Sequence, residues 1–206
     1  MTNFSAFWRR GSALLPGLLL LALATQAQKY SPIHFSAGYG LLSVERDFEV
    51  TSAVSNSLAK DNILLYGANL GGDIAVKHFS DEMTLGLGLN VGAWLSSKEY
   101  TGSGFSSSFL LTLPEYVTFR YGAHSSRKSQ QNFGFGAGLG YRFGFGMVPT
   151  SVPAAMVEGV YAAKSRDYML RFSTDLTNGT VSKPTENPAI SEMRLRMLAV
   201  TLGFTL

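Results

Sequence analysis

Three observations predict an all-β fold for this chain, an eight-stranded antiparallel up-and-down transmembrane β-barrel. The first is the stretch from Phe133 to Phe145. Phe, Ala, Leu and Tyr at its odd positions alternate with glycine at 134, 136, 138, 140 and 144, Arg142 being the exception. Period-two alternation marks a strand, because successive side chains point to opposite faces. A strand that is aromatic on one face and nearly bare on the other suits lipid outside and a crowded lumen inside. The second observation is repetition: alternating segments recur eight times, an even number, as closure of an antiparallel barrel requires. The third is the spacing. Connections are long after strands one, three, five and seven and short after two and six, as in barrels with loops at one end and turns at the other. The connection after strand four is longer than that rule predicts.

Composition agrees with this fold. Charged residues are 15% of the chain and aromatics 12%, with 22 glycines, against a usual quarter charged. The absence of cysteine excludes a disulfide framework and thiolate metal sites. The formal charge is +3 from 17 Lys and Arg against 14 Asp and Glu. Arg9 and Arg10 lie in a segment expected to be removed; 17 less two leaves 15 against 14, a net of +1. That balance excludes an electrostatic footprint for nucleic acid.

Residues 1–27 read as a secretory signal peptide. Arg9 and Arg10 form the positive region, Ser12 to Ala24 the apolar run, and Thr25-Gln26-Ala27 a small-residue site with cleavage before Gln28. The competing reading is an anchoring helix; the run is short for a span, and Pro16 and Gly17 weaken it. Residues 28–206 then form one barrel domain. No other stretch approaches the ~18 apolar residues of a membrane helix, so a mature chain in a membrane must cross with strands.

The elements follow in order. Strand one, 32–44, sends Ile33, Phe35, Ala37, Tyr39 and Leu41 outward, with His34, Ser36, Gly38 and Gly40 inward. Residues 45–61 are a polar loop. Strand two, 62–79, has Leu64, Tyr66, Ala68, Leu70, Ile74 and Val76 outward, and Asn69, Gly71, Asp73 and Lys77 inward. Ser80-Asp81-Glu82 turns into strand three, 83–96, with outward Met83, Leu85, Leu87, Leu89, Val91, Ala93 and Leu95. A Gly/Ser-rich loop, 97–107, leads to strand four, 108–121, with Tyr116, Thr118 and Arg120 inward. Pro114 there predicts a bulge or kink, because proline removes a ladder donor. Residues 122–131 connect to strand five, 133–145. Residues 146–154, containing Pro149 and Pro153, read as a loop before strand six, 155–163, with Glu158 inward. Strand seven, 168–177, places Arg171, Ser173 and Asp175 inward. Residues 177–191 form the next loop. Strand eight ends the chain, with Leu198, Val200, Leu202 and Phe204 outward. Met193, Leu195 and Met197 stand at the opposite parity. This predicts a bulge near Met197, or else a place above the lipid for Arg194 and Arg196.

The signal segment, the eight strands, Leu113-Pro114-Glu115-Tyr116, Gly136 to Phe143 and the terminal Gly203-Phe204-Thr205-Leu206 together resemble the small outer-membrane β-barrel family of Gram-negative bacteria. The resemblance covers roughly residues 30–206. One departure is the final Leu206, where such chains commonly end on Phe or Tyr. The resemblance implies a place in the cell outer membrane and a structural or surface-recognition role. It also implies outer-membrane lipid and lipopolysaccharide as partners, and a monomer whose extracellular ligand would meet loops 45–61, 97–107, 146–154 and 177–191.

Candidate chemistry is sparse. The glycine ladder lacks the G-x-G-x-x-G spacing and a following helix, so it predicts no phosphate site. His34, His78 and His124 do not form a spaced metal set, and no cofactor is expected. His124 and Ser126 have the spacing of the outer-membrane lipid A deacylases, which resemble this barrel and place a Glu on the next strand. Here Gly136 and Gly138 stand there, so the triad lacks its orienting acid and no catalysis is expected. Asp73, Arg120, Arg142, Glu158, Arg171 and Asp175 all fall on lumen faces. They predict a charge network filling a narrow barrel. Pairing centred near residue 150 sets Arg142 opposite Glu158 as an ion pair.

Overall fold

The computed structural model describes residues 32–48, 59–96, 109–146, 150–164, 166–182 and 190–206. Its strands are β1 (Ile33–Phe48), β2 (Ala59–Ser80), β3 (Met83–Ser96), β4 (Phe109–Gly122), β5 (Phe133–Gly146), β6 (Thr150–Ala162), β7 (Asp167–Asp175), β8 (Gly179–Ser182) and β9 (Ile190–Thr205). Each long strand pairs antiparallel with its neighbour in sequence, and β1 pairs with β9 to close the sheet. β7 and the short β8 both pair with β9, β7 along Leu198–Phe204 and β8 along Glu192–Leu195. They form one interrupted stave, so the closed barrel has eight. The signal segment and loop 97–107 lie outside the described residues.

Crossing the ladder rung by rung from Thr150 leads through Gly144, Thr112, Gly92, Asn69, Ser36, Gly203 and Met169 to Val160. The path returns to β6 ten residues from its start (160 − 150), which fixes the stagger of the barrel. Eight staves with that stagger are tilted by about 40°, so each residue climbs about 2.5 Å along the axis.

Several expected boundaries move. β1 runs on to Phe48 and β2 starts at Ala59, so 45–48 and 59–61 of the expected 45–61 loop are strand. Within 146–154, Gly146 ends β5 and β6 begins at Thr150, so only 147–149 connect them. Pro153 is tolerated because it sits where the ladder to β7 has ended; its carbonyl takes one last bond from Leu176 N, at 2.8 Å. Within 177–191, β8 and the start of β9 replace loop. Pro114 causes no bulge. The β3–β4 register is the same on both sides of it, with the rungs opposite Leu113 and Pro114 missing. The register shifts elsewhere: between Asp47 and Phe48 where β1 meets β9, and at two bulges in β2, between Ala75 and Lys77 and between His78 and Ser80. The β2 bulges turn Lys77, expected inside, to the exposed face.

The outward face is an apolar belt. Exposed large side chains include Leu41, Leu64, Leu70, Val91, Leu95, Val117, Leu139, Val157, Leu170, Leu198 and Leu202. Its edge near Pro32 and the C-terminus is aromatic, with Phe35, Phe79, Tyr121, Phe133, Phe135, Tyr161 and Tyr168 all exposed. Neighbours there stack ring against ring: Phe133–Tyr161 at 5.0 Å, Tyr121–Phe135 at 5.4 Å and Phe35–Phe204 at 6.0 Å. We call this the near end. It carries the Ser80–Met83 turn, the β4–β5 and β6–β7 connections and the C-terminus.

Candidate functional site: the barrel interior

The lumen is layered. The lowest layer is the β4–β5 connection, which folds back into the near mouth and buries Ala123, His124 and Ser125. Glu82 latches it: its carboxylate accepts from Ser129 Oγ at 2.5 Å and Gln130 N at 3.2 Å, and its carbonyl from Gly122 N at 2.9 Å. Ser126 Oγ donates to the Asp81 carbonyl at 2.6 Å, and Thr84 Oγ1 to the Ser125 carbonyl at 2.6 Å. His124 takes φ 67°, a left-handed conformation uncommon outside glycine. Its Nδ1 lies 3.0 Å from Asp167 Oδ2. The connection after strand four is long because it is a stopper.

Above it lies a closed ring of six side chains from six strands. Asp73 Oδ1 lies 2.9 Å from Arg120 Nη2, and Arg120 Nε donates to Glu158 Oε1 at 2.5 Å. Glu158 Oε2 accepts from Arg171 Nε at 3.0 Å and Nη2 at 2.8 Å. Arg171 Nη1 donates to Asn90 Oδ1 at 2.9 Å. His34 Nε2 lies 2.9 Å from the same oxygen, and His34 Nδ1 lies 3.5 Å from Asp73 Oδ2. All six are buried. Gly136 and Gly71 make the room. A Cβ on Gly136 would lie 2.7 Å from Glu158 Oε1, and one on Gly71 would collide with Asn90 Oδ1. The bare face of the organising stretch is therefore the space the ring occupies.

Arg142 and Asp175 make a second, separate pair. Arg142 Nε and Nη2 donate to the two carboxylate oxygens at 2.8 and 2.6 Å, the bidentate geometry that suits guanidinium. Asp175 also repairs the stave it ends. Its carboxylate accepts from Met197 N at 2.6 Å, a β9 amide between the β7 and β8 ladders, and its carbonyl accepts from Arg196 Nε at 3.1 Å. The six expected lumen charges are thus all inside, three cations against three anions. The expected Arg142–Glu158 pair is absent. Arg142 stands opposite Val152 and Glu158 opposite Gly136. Gly136 and Arg142 are six positions apart on β5, about 20 Å of strand. The register is centred at 147 because β6 starts at Thr150.

The far layer was missed by sequence reasoning. Leu42, Val44, Ile63, Leu65, Trp94, Leu110, Met193, Leu195, Met197 and Ala199 form one buried apolar cluster. Trp94 is its floor, donating from Nε1 to Thr112 Oγ1 at 3.1 Å. β9 pairs with β1 without a break at Met197, so no bulge accounts for the parity of Met193, Leu195 and Met197. They point inward, while Arg194 and Arg196 point out. The signal was present: apolar residues change parity at matching heights on β1 (Leu41 to Leu42), β2 (Leu64 to Ile63) and β9 (Leu198 to Met197).

Between these layers lies a cavity of about 30 Å³, lined by Asn69, Asn90, Tyr116, Arg142, Arg171 and Asp175 among others. A second, of about 10 Å³, lies by Asp73, Thr118, Arg120 and His124. Both are of the size of one to a few waters. Among the described residues no group of His, Asp and Glu is arranged to hold a metal ion.

Comparison with solved structures finds similar barrels. Neisserial surface protein A aligns over 86% of this chain and 100% of its own at 9% identity, TM-score 0.38. The outer membrane protein AlkL, solved in lipid bilayers, aligns over 87% and 93% at 13% identity, TM-score 0.42. Ail, the attachment invasion locus protein of Yersinia pestis, aligns over 86% and 100% at 9% identity, TM-score 0.23. No protein-family model and no curated protein sequence matches the chain.

Proposed function

We propose that this chain is an outer-membrane β-barrel of the small Gram-negative type. It spans with its near end toward the periplasm, as a monomer with no catalytic role, and serves as a structural or surface-recognition protein. The observation that carries the reading is the pairing of an aromatic-edged apolar belt outside with a neutral, closed ring of buried charges inside. A water-soluble barrel has no use for that belt, whereas lipid-facing strands require it. At the far end 49–58 and 97–108 are long and 147–149 is short, while at the near end 81–82 and 163–166 are tight and 123–132, the stopper, is long; the balance favours the stated orientation. The far-end loops are then the surface available to an extracellular ligand and to lipopolysaccharide.

The interior supports a closed barrel. Stopper, ring and apolar cluster succeed one another along the axis, and the cavities between them are water-sized. Against the lipid A deacylase reading, the acid that meets His124 is Asp167 on β7, and the Ser126 hydroxyl is spent on the Asp81 carbonyl.

The test is fractionation followed by gel mobility of the extracted protein with and without boiling. A heat-shifted band in outer membranes is expected; a soluble periplasmic protein sinks the proposal. Planar-bilayer recordings should show no large stable conductance. Release of fatty acid from lipid A by the folded barrel, abolished by His124→Ala, would establish the enzymatic reading instead.

A further inference from the structure

The two rims of the barrel handle their cations differently. At the far rim Arg46 pairs with Asp61, Lys60 with Glu45 at 3.0 Å, and Arg194 with Glu192 at 2.6 Å and Asp47 at 3.2 Å. At the near rim Lys77, Lys128, Lys164 and Arg166 are all exposed. None of these four forms an ion pair among the described residues. Of the near-end carboxylates, Glu82 holds the stopper and Asp167 holds His124, while the exposed Asp81 forms no ion pair among the described residues.

Their placement is not random. Lys77 lies among the last residues of β2 before the turn, Lys128 in the β4–β5 connection, and Lys164 and Arg166 in the β6–β7 connection. Every near-end crossing therefore contributes a cation. Two of them rest on belt aromatics: Lys77 Nζ lies 5.0 Å from the Phe79 ring centroid, and Arg166 Cζ lies 5.2 Å from that of Phe204. An aromatic ring at the belt edge marks the depth of the lipid headgroups. A cation held over that ring lies at the depth of the phosphate, its stem against the apolar surface.

We propose that the near rim is a binding surface for anionic phospholipid, the four cations engaging the headgroup phosphates of the surrounding leaflet. The inference rests on the membrane reading above and adds a partner to it. The attraction is electrostatic and adds about fivefold in affinity per cation near a charged lipid surface, and salt screens it.

The experiment is native mass spectrometry of the detergent-folded mature barrel titrated with phosphatidylglycerol or phosphatidylcholine. Wild type should bind phosphatidylglycerol more tightly, and added salt should narrow the difference. The double variant Lys128→Gln/Arg166→Gln should lower phosphatidylglycerol affinity at least tenfold and leave phosphatidylcholine unchanged. The matched far-rim variant Lys60→Gln/Arg194→Gln should keep the preference. Heat-shifted mobility in each variant checks the fold. Equal affinity for the two lipids overturns the proposal, as does an equal loss from the far-rim pair. Competition by inorganic phosphate at the same concentration as lipid also overturns it, by showing a free-ion site. A protein that never gives a heat-shifted band refutes the membrane reading itself, a result distinct from these.

Discussion

The near and far parts of the barrel wall are inside-out relative to each other. In the near part the outward residues of β1, β2 and β9 are Phe35, Tyr39, Tyr66, Leu70 and Leu202, and the inward ones include His34, Asp73 and Thr201. Beyond Leu41, Leu64 and Leu198 the same strands carry Ser43, Glu45, Asp47, Lys60, Asn62, Arg194 and Arg196 outward. Inward they carry Leu42, Val44, Ile63, Leu65, Met193, Leu195 and Met197. Among the described residues β3, β4 and β5 reach only to the belt edge, with Leu95, Phe109 and Phe145 exposed there. β1 continues seven residues past Leu41, an overhang of roughly 15 Å. On the membrane reading proposed above, one continuous wall obeys two solvent rules. Where lipid is outside, polar groups are exiled to the lumen and must pair with each other; where water is outside, the lumen can be an ordinary apolar core.

The sharpest way to break this contrast is to remove a charge from the near part. Glu158 is the shared anion of Arg120 and Arg171. Glu158→Met leaves two buried guanidiniums with one fewer partner and should cost about 3–5 kcal/mol in urea unfolding from bilayers. Arg142→Met should combine with it additively, since the two belong to separate networks, whereas Arg142→Met and Asp175→Met should be strongly non-additive. Asp175→Met should be the more damaging member of that pair, because it also strands the Met197 amide.

In the far part the damaging change is loss of volume. Met193 is fully buried in the apolar cluster, so Met193→Ala should cost about 2–5 kcal/mol through lost burial and a residual cavity. Equilibrium unfolding monitored at Trp94 reads it directly, since both residues belong to that cluster. A cost near zero would mean that the far core is loosely packed.

Glycines give the next, smaller contrast. Gly136→Ala puts a methyl 2.7 Å from Glu158 Oε1 and should cost about 1–3 kcal/mol as overpacking. Gly159, on the outward face of the neighbouring strand, has nothing within 4 Å of the place a methyl would take. Gly159→Ala should be neutral or slightly stabilising. Equal effects at the two sites would show that the ring is free to shift.

The staves and the six lumen charges were legible in the sequence because period-two alternation reports faces directly. Ring partners were not, because pairing across a barrel depends on stagger, and a three-residue error in the β5–β6 centre moved Arg142 away from its true partner. Pro153 caused that error by extending the loop signal of Pro149 into β6; it in fact occupies the end of a ladder. The far core was illegible for another reason. The parity of Met193, Leu195 and Met197 left two readings, a bulge or a place above the lipid for Arg194 and Arg196, and strand eight alone does not reveal that its partners β1 and β2 change parity at the same height. The stopper was hidden because Asp81 and Glu82 act on it from the β2–β3 turn and Asp167 from the start of β7.

The smallest expected effect is the one that locates the waterline. Glu45 and Lys60 stand opposite each other on β1 and β2, 3.0 Å apart, and Lys60 is 56% exposed. If the overhang stands in water, Lys60→Gln should cost about 0.2–1 kcal/mol, because exposed pairs trade Coulomb energy against hydration and side-chain entropy. That cost should shrink further in high salt. If the belt reached this height, Glu45 would be left as an unpaired charge in hydrocarbon. The same substitution would then cost several kcal/mol with little salt dependence. Unfolding Lys60→Gln at low and high ionic strength separates the two cases. A large, salt-insensitive loss would place Glu45 in lipid and abolish the change of solvent on which the inside-out comparison depends.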